Sequence, residues 1–175
     1  MNREKLSRTK PQKLHHLAVC IFALESGKGH LKWKVTDLVR KSGISRTLVY
    51  RYLGNSKKEI LTSALNIFCS DFYGFADESR NDFPMEIARA REHLIKYPEA
   101  ILFYQKWRSR ESFLKVEFEQ IERRFQKKLK SIFPHYSESE ILLAHACIHG
   151  AVTSPFLSGD QAECIGRDLQ RKGIL

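Results

Sequence analysis

Paired cysteines and clustered metal ligands are missing from this sequence of 175 residues. Its cysteines are widely spaced, form no C-x-x-C pair and fall among apolar neighbours, which favours reduced core residues over a disulfide framework or a redox pair. They are Cys20, Cys69, Cys147 and Cys164. A glycine-rich phosphate loop and a G-x-S-x-G nucleophile elbow are also missing. We therefore expect no enzymatic activity, no cofactor and no bound metal.

Long hydrophobic runs are equally scarce, and the nearest to one is the segment 141–159, which contains no Lys, Arg, Asp or Glu. Its length approaches that of a membrane span. Two histidines, two serines, a threonine and a proline make it too polar for that role, so we expect no membrane insertion. No apolar run follows the basic start Met1–Lys10, so the sequence predicts no secretory signal and a cytoplasmic protein.

Strand signals are absent as well, because no stretch of useful length alternates apolar and polar residues. The fold class is therefore predicted to be all-α, with eight or nine helices. Besides two short helices between residues 35 and 53, the predicted helices lie at about 11–26, 57–75, 84–96, 98–110, 112–133 and 141–157, with a last short one from Asp160. A polar stretch suggests a boundary near Asp77. The predicted parts are a basic flexible arm (1–10), a first domain (11–76) and a second helical domain (77–175).

Positive charge is abundant, and it is concentrated at one end of the chain. Residues 1–60 contain 14 Lys and Arg against 4 Asp and Glu, whereas residues 61–175 contain 16 of each kind. Such a segment favours a polyanionic partner, because each phosphate that it neutralises releases condensed counterions. A basic surface can also serve only to keep a protein soluble. The concentration of charge in the first third favours the polyanion.

The segment 35–57 within this basic region has the spacing of two short crossed helices. Apolar residues hold one helical face from Val35, Gly43 falls where the first helix must end, and the apolar face resumes from Ile44 to Tyr52. The side chains left pointing outward from the second helix are Ser45, Arg46, Thr47, Tyr50 and Arg51. A basic second helix of this kind can enter a DNA major groove.

A longer pattern surrounds these two helices and ends at a lysine that begins the next one. It consists of Gly29, Val35, Asp37, Leu38, the run Gly43-Ile44-Ser45, the run Leu48-Val49-Tyr50-Arg51-Tyr52-Leu53, and Lys57. Through these residues the chain resembles, over about residues 10–65, the DNA-binding domain of the TetR family of bacterial transcriptional regulators. One departure is that Trp33 and Lys34 stand where the family usually has two small hydroxyl residues. With about 100 residues, the second domain is small for the family.

The resemblance implies a homodimer whose two recognition helices read a pseudo-palindromic operator in double-stranded DNA. The residues expected at base edges are Ser45, Arg46 and Thr47, and those expected at phosphates are Tyr50, Arg51 and Lys57. In place of the missing hydroxyl residue, Lys34 or Thr36 is expected to contact phosphate. The arm, with Arg3, Lys5, Arg8 and Lys10, adds nonspecific or minor-groove contacts or has no role.

For the second domain, the resemblance implies binding of a small apolar effector that releases a repressor from its operator. Aromatic residues of this domain either line an apolar pocket for the effector or form only its core. They are Phe72, Phe103, Tyr104, Trp107 and Phe118. The alternative function is that of a nonspecific or architectural DNA-binding protein without an effector.

The charge-free helix at 141–157 has two apolar stripes, and each needs a cover. The stripe from Ile141 to Ala151 is expected to face the core of its own chain. The other stripe is expected to face the second subunit and consists of Leu142, His145, His149, Val152 and Phe156. His145 and His149 also have the spacing of two zinc ligands, although no third ligand is evident. On the helix at 112–133, the polar face that includes Glu122 is expected to be solvated.

Overall fold

The computed structural model describes residues 9–72, 83–108, 110 and 112–174. All regular structure in this part of the chain is α-helical, without a β-strand, so the predicted all-α class is confirmed. The helices are α1 (Lys10–Lys28), α2 (Val35–Ser42), α3 (Arg46–Leu53), α4 (Lys57–Phe72), α5 (Phe83–Lys96), α6 (Pro98–Trp107), α7 (Phe113–Ile132), α8 (Glu138–Thr153) and α9 (Gly159–Arg171). Among these described helices we find none whose length and hydropathy would carry it across a bilayer.

Helix starts follow capping signals in the sequence. Before α4, the backbone N–H of Glu59 donates to Ser56 Oγ over 3.1 Å, and the Glu59 carboxylate accepts the N–H of Asn55 over 2.9 Å. Before α8, the side chains of Ser137 and Glu140 each accept the backbone N–H of the other residue. Such reciprocal caps satisfy backbone donors that have no partner within the helix.

Helix ends differ from the sequence prediction in two places. The helix predicted at 98–110 ends at Trp107, and the helix predicted at 141–157 runs from Glu138 to Thr153. The second helix ends early because Ser154 precedes Pro155 and adopts an extended backbone, with ψ of 124°. Phe156 is therefore not a helical residue, contrary to the prediction.

The chain divides into two compact units, one ending at Phe68 and the other beginning at Cys69. The division falls within α4, whereas the predicted boundary at Asp77 lies outside the described residues. In the first unit, α2 packs against both α1 and α3. Its largest fully buried side chains are Leu17, Ile21, Phe22, Trp33, Leu38, Leu53, Ile60, Leu61 and Leu65.

In the second unit, α5 packs against α8 and α9, and α7 packs against α8. Gly166 permits the close approach of α9 to α5, because a Cβ atom at this position would lie 2.8 Å from the Cα of Pro84. The buried side chain of Arg91 on α5 donates to two carbonyls that follow or end α8, those of Leu157 (2.6 Å) and Val152 (3.3 Å). These bonds hold the segment after α8 against α5, and burial lowers the pKa of Arg91.

Candidate functional site

Helix α3 has a buried back and a polar front. Val49 and Leu53 are buried in the core of the first unit. Ser45 caps the helix, and its Oγ accepts the N–H of Leu48 over 3.4 Å. The side chains that sequence analysis placed outward are exposed at Ser45, Arg46, Thr47 and Arg51 and half-buried at Tyr50. The short helix therefore presents donors and acceptors to solvent on a face that its own unit does not cover.

Arg46 and Tyr50 form a pair on this face. The Nε and Nη2 atoms of Arg46 both donate to the Tyr50 hydroxyl, over 3.2 and 3.0 Å, and the guanidinium carbon lies 5.3 Å from the ring centroid. The two residues are one helical turn apart, so the pair forms within α3. The guanidinium is held along the helix, and the sequence did not predict this contact.

The turn between α2 and α3 depends on Gly43, whose φ of 70° is in the left-handed region that favours glycine. Its N–H donates to the carbonyl of Val39 over 2.9 Å. A ring nitrogen of His16 on α1 lies 3.2 Å from the carbonyl of Ser42, and the Ser42 hydroxyl accepts the N–H of Ile44 over 3.2 Å. These bonds fix the angle at which α3 leaves α2.

A buried carboxylate orders the loop before α2. Glu25 on α1 is fully buried, and its Oε1 accepts the indole N–H of Trp33 over 2.6 Å and the backbone N–H of Leu31 over 2.9 Å. Its Oε2 lies 3.1 Å from Nδ1 of His30. Leu31 has a φ of 53°, which is unfavourable for any residue with a Cβ, so its bond to Glu25 helps to hold a strained turn. Trp33, which departs from the family pattern, is thus a core residue of the first unit.

Lys57, at the first position of α4, lies beside the same loop. Its Nζ donates to the carbonyls of Leu31 (2.6 Å) and Trp33 (3.3 Å). The ammonium group therefore already has two protein acceptors, although the residue is exposed. Its predicted phosphate contact stays a prediction, and its observed contacts join the start of α4 to the loop before α2.

The start of α2 carries the other two residues predicted to contact phosphate, Lys34 and Thr36, and both are exposed. Asp37 accepts the backbone N–H of Lys34 over 2.8 Å, so α2 is capped without a hydroxyl side chain before it. Asp37 also pairs with Lys28 (2.7 Å) and Arg40 (3.2 Å). The bonds from Lys28 and from the Lys34 backbone hold the pKa of Asp37 below its usual value.

The net positive charge lies in the unit that contains α3. Residues 61–68 contain no charged side chain, so the unit that ends at Phe68 has the full excess of 14 basic over 4 acidic residues. In the predicted arm, Arg3, Lys5 and Arg8 lie outside the described residues. Lys10 begins α1, with its Nζ 5.9 Å from the ring centroid of Tyr52.

The aromatic residues predicted for an effector pocket come together in the second unit. Phe103, Trp107 and Phe118 are buried, and the ring centroids of Phe103 and Phe118 lie 6.0 Å apart. Tyr104 is half-buried, with its ring 5.0 Å from that of Phe118. The side chain of the fifth predicted residue, Phe72, lies outside the described residues.

Glu122 on α7 is the polar centre beside these rings, and the prediction that it is solvated is wrong, because its side chain is only 13% exposed. It accepts the hydroxyl of Tyr104 over 2.7 Å and two N–H groups of Arg108 over 2.7 and 3.2 Å. Burial alone would raise the pKa of Glu122, but the bonds from Arg108 and Tyr104 outweigh it and lower that pKa. Burial and the neighbouring carboxylate raise the pKa of Tyr104.

His145 and His149 lie on the side of α8 that faces these groups. Nδ1 of His145 is 3.0 Å from Nε2 of Gln126 on α7, and the ring of His149 is 5.2 Å from that of Tyr104. Burial lowers the pKa of both imidazoles, that of His149 to about 4. Neither Gln126 nor Arg108 was predicted from the sequence. The sequence places Gln126 one helical turn after Glu122, and this spacing could have indicated that both face the same neighbours.

The predicted dimer stripe on α8 needs a correction. Val152 and His145 are 2% and 8% exposed within their own chain, so they have almost no surface left for a second subunit. Leu142 and Phe156 are 54% and 89% exposed, as that prediction requires, and Leu143 is 51% exposed. The apolar surface that α8 leaves uncovered, which we call the outer α8 face, consists of Leu142, Leu143, Ala146 and Gly150.

No group of three His, Cys, Asp or Glu side chains that could hold a metal ion occurs in the described parts of either unit. The cysteines Cys20, Cys69, Cys147 and Cys164 are free thiols, and burial raises the pKa of Cys69 to about 12. Comparison with protein-family models, with curated proteins and with solved structures gives no significant match to this chain.

Proposed function

We propose that this chain is a sequence-specific DNA-binding transcriptional regulator of the TetR type, acting in the cytoplasm as a homodimer. The observation that carries the proposal is the exposed polar front of α3 on a unit that holds the whole net positive charge of the chain. Phosphates attract such a unit irrespective of sequence, and an exposed short helix with a fixed exit angle is suited to reading base edges.

Roles within α3 follow from position along the helix. Its first residues would lie deepest in the groove, so Ser45, Arg46 and Thr47 are assigned to base edges. A guanidinium matches the two acceptors of guanine, and such a bidentate contact discriminates by about 1–3 kcal/mol against a wrong base. Tyr50 and Arg51 are assigned to phosphates, which fix register without reading sequence.

A homodimer accounts for the outer α8 face, whose leucines are more than half exposed. A two-fold dimer covers the same patch on both copies and imposes two-fold symmetry on its DNA site. The operator is therefore expected to be pseudo-palindromic. A small effector bound in the second unit would favour a dimer unable to hold both half-sites, which makes the protein a repressor that the effector releases.

The test is selection of bound fragments from genomic DNA of the source, followed by competition between the selected duplex and random duplex at fixed salt. A regulator should prefer the selected duplex by about 1,000-fold or more. A nonspecific architectural protein, which the basic charge alone would also suit, should show a ratio near one. Equal binding to both duplexes would favour that alternative and end the proposal.

Two matched variants on α3 separate the assigned roles. Arg46→Ala should reduce the preference for the selected duplex at one base position, whereas Arg51→Ala should weaken all duplexes similarly and lower the salt slope by about one. Arg51 is a cleaner probe of phosphate contact than Lys57, because Lys57 also holds the loop before α2. The role assignment would be wrong if the two variants lost affinity in the same uniform way.

A further inference from the structure

The groups around Glu122 include two buried imidazole nitrogens, Nε2 of His145 and Nε2 of His149. Neither has a hydrogen-bond partner among the described residues. We propose that this pair and the rings around it bind a small, uncharged, planar aromatic compound that has an oxygen acceptor, such as an aryl ketone. Binding of such a compound does not depend on the proposed function. Its role as the effector that controls DNA binding does rest on the proposed function.

His145 supplies the requirement for an acceptor. Its side chain is more than nine-tenths buried, and its Nδ1 lies 3.0 Å from the amide nitrogen of Gln126. An amide nitrogen can only donate, so Nδ1 accepts and the proton of the neutral ring is on Nε2. That N–H is buried, and such donors are paired in the great majority of proteins. It therefore favours a ligand with a carbonyl or ether oxygen.

The electrostatic environment supplies the requirement for an uncharged ligand. Burial is the main cause that lowers the pKa of His149 to about 4, and repulsion from Arg108 and from a protonated His145 adds to it, so the ring is neutral near pH 7. Arg108 and Glu122 are the charged residues beside the two histidines, and they are bonded to each other. An anionic ligand would meet neutral imidazoles and a compensated ion pair, and its own desolvation would remain uncompensated.

The surrounding rings favour an aromatic ligand, because aromatic surfaces prefer edge and offset contacts with one another. The ring of Tyr104 lies 5.2 Å from that of His149, and the ring of Phe125 lies 5.3 Å from that of His145. The two imidazoles are themselves almost perpendicular, at 87°, with centroids 6.2 Å apart. The Tyr104 hydroxyl donates to Glu122, and its ring makes an edge contact with that of Phe118, 5.0 Å between centroids, so aromatic surface predominates around the two imidazoles.

A metal ion is a poorer occupant for this pair. Two imidazoles one turn apart provide only two ligands, and the described residues contain no group of three His, Cys, Asp or Glu that could hold an ion. The nearby carboxylate of Glu122 is already bonded to Tyr104 and Arg108. Structural zinc sites use four protein ligands and catalytic ones three. If the histidines have only a structural role, the experiment below will show no ligand-dependent change at either Nε2.

The experiment titrates the full chain, without DNA, with acetophenone, and follows the imidazole ¹⁵N resonances by NMR at neutral pH. Toluene lacks the oxygen and benzoate is charged, so they are the matched probes. Acetophenone should shift the Nε2 resonances of His145 and His149 and bind about tenfold more tightly than either, the factor expected for one net hydrogen bond. His145→Phe should lose this preference, whereas His135→Ala, at an exposed residue before α8, should retain it.

A second variant keeps the test valid if His145→Phe does not fold. Gln126→Met removes the partner that fixes the His145 tautomer, and it should reduce the preference for acetophenone over toluene while leaving toluene binding unchanged. The inference is overturned if acetophenone moves neither Nε2 resonance, if toluene or benzoate binds as tightly, or if His145→Phe keeps the preference. Because no DNA is present, a chain that binds acetophenone but selects no operator would contradict the proposed function alone.

Discussion

Removal of the Glu25 carboxylate tests the loop before α2 most directly. Glu25→Ala leaves two donors without their acceptor, the buried indole N–H of Trp33 and the part-buried backbone N–H of Leu31. A buried donor without an acceptor costs about 1–3 kcal/mol and a part-buried one costs less, so the free energy of unfolding of the first unit should fall by about 1–4 kcal/mol. Since whole domains are stable by only about 5–15 kcal/mol, this loss would be a large fraction of the total.

Urea denaturation followed by Trp33 fluorescence provides the measurement. Trp107 is replaced by Phe in all variants, so that the remaining tryptophan reports on the first unit alone. The control is Glu25→Gln, whose amide oxygen can still accept both N–H groups, and we expect it to cost about 1 kcal/mol. The reasoning fails if Glu25→Ala lowers the free energy of unfolding by less than about 1 kcal/mol, or by no more than Glu25→Gln.

Three further perturbations act on the second unit, and one of them is compared with a control in the first unit. Gly166→Ala should destabilise by about 1–3 kcal/mol in thermal melts, because the new methyl meets the α5 backbone, whereas Gly27→Ala, with open space around it, should stabilise by about 0.5–1 kcal/mol; equal effects would contradict this packing. Folding lowers the pKa of His149 to about 4, so the free energy of unfolding is unaffected by this group above about pH 6.5 and should fall by about 2 kcal/mol between pH 7 and pH 5. If His149→Gln loses stability with pH in the same way as the parent chain, this reasoning is refuted. Leu142→Glu should convert a dimer to a monomer in sedimentation, while Leu102→Glu, at an equally exposed leucine of α6, should not; a dimer that survives Leu142→Glu would exclude the outer α8 face as its interface.

Sequence patterns were most informative where polar residues mark the solvent side of a helix. Val49 and Leu53 lie behind the charged front of α3, so apolar spacing alone predicted which residues of this helix are outward. The start of α4 was likewise predictable, because Ser56 accepts the N–H of Glu59 as their spacing indicates, while the Glu59 carboxylate accepts the N–H of Asn55, one residue earlier than predicted. In these cases the signal is local, and tertiary packing agrees with it.

The faces of α8 were not predictable in the same way. Residues 141–153 contain no charge to mark the solvent side, so the periodicity could not decide between Val152 and Leu143 as the outward residue. The structure buries Val152 and exposes Leu143. Two acids were also misjudged or overlooked, because the partners of Glu25 and Glu122 come from a following loop and a neighbouring helix. Only the folded backbone brings such groups within hydrogen-bond distance.

The uneven division of charge has a colloidal consequence. From Cys69 onward the chain has 16 basic and 16 acidic residues, and it exposes Leu142, Leu143 and Phe156. A polypeptide near its isoelectric point with uncovered apolar side chains tends to precipitate. If the chain were cut after Phe68, the shorter fragment would carry all the net charge, and the longer fragment would lose the electrostatic repulsion between its molecules. We expect the longer fragment to precipitate near neutral pH unless its exposed leucines are covered.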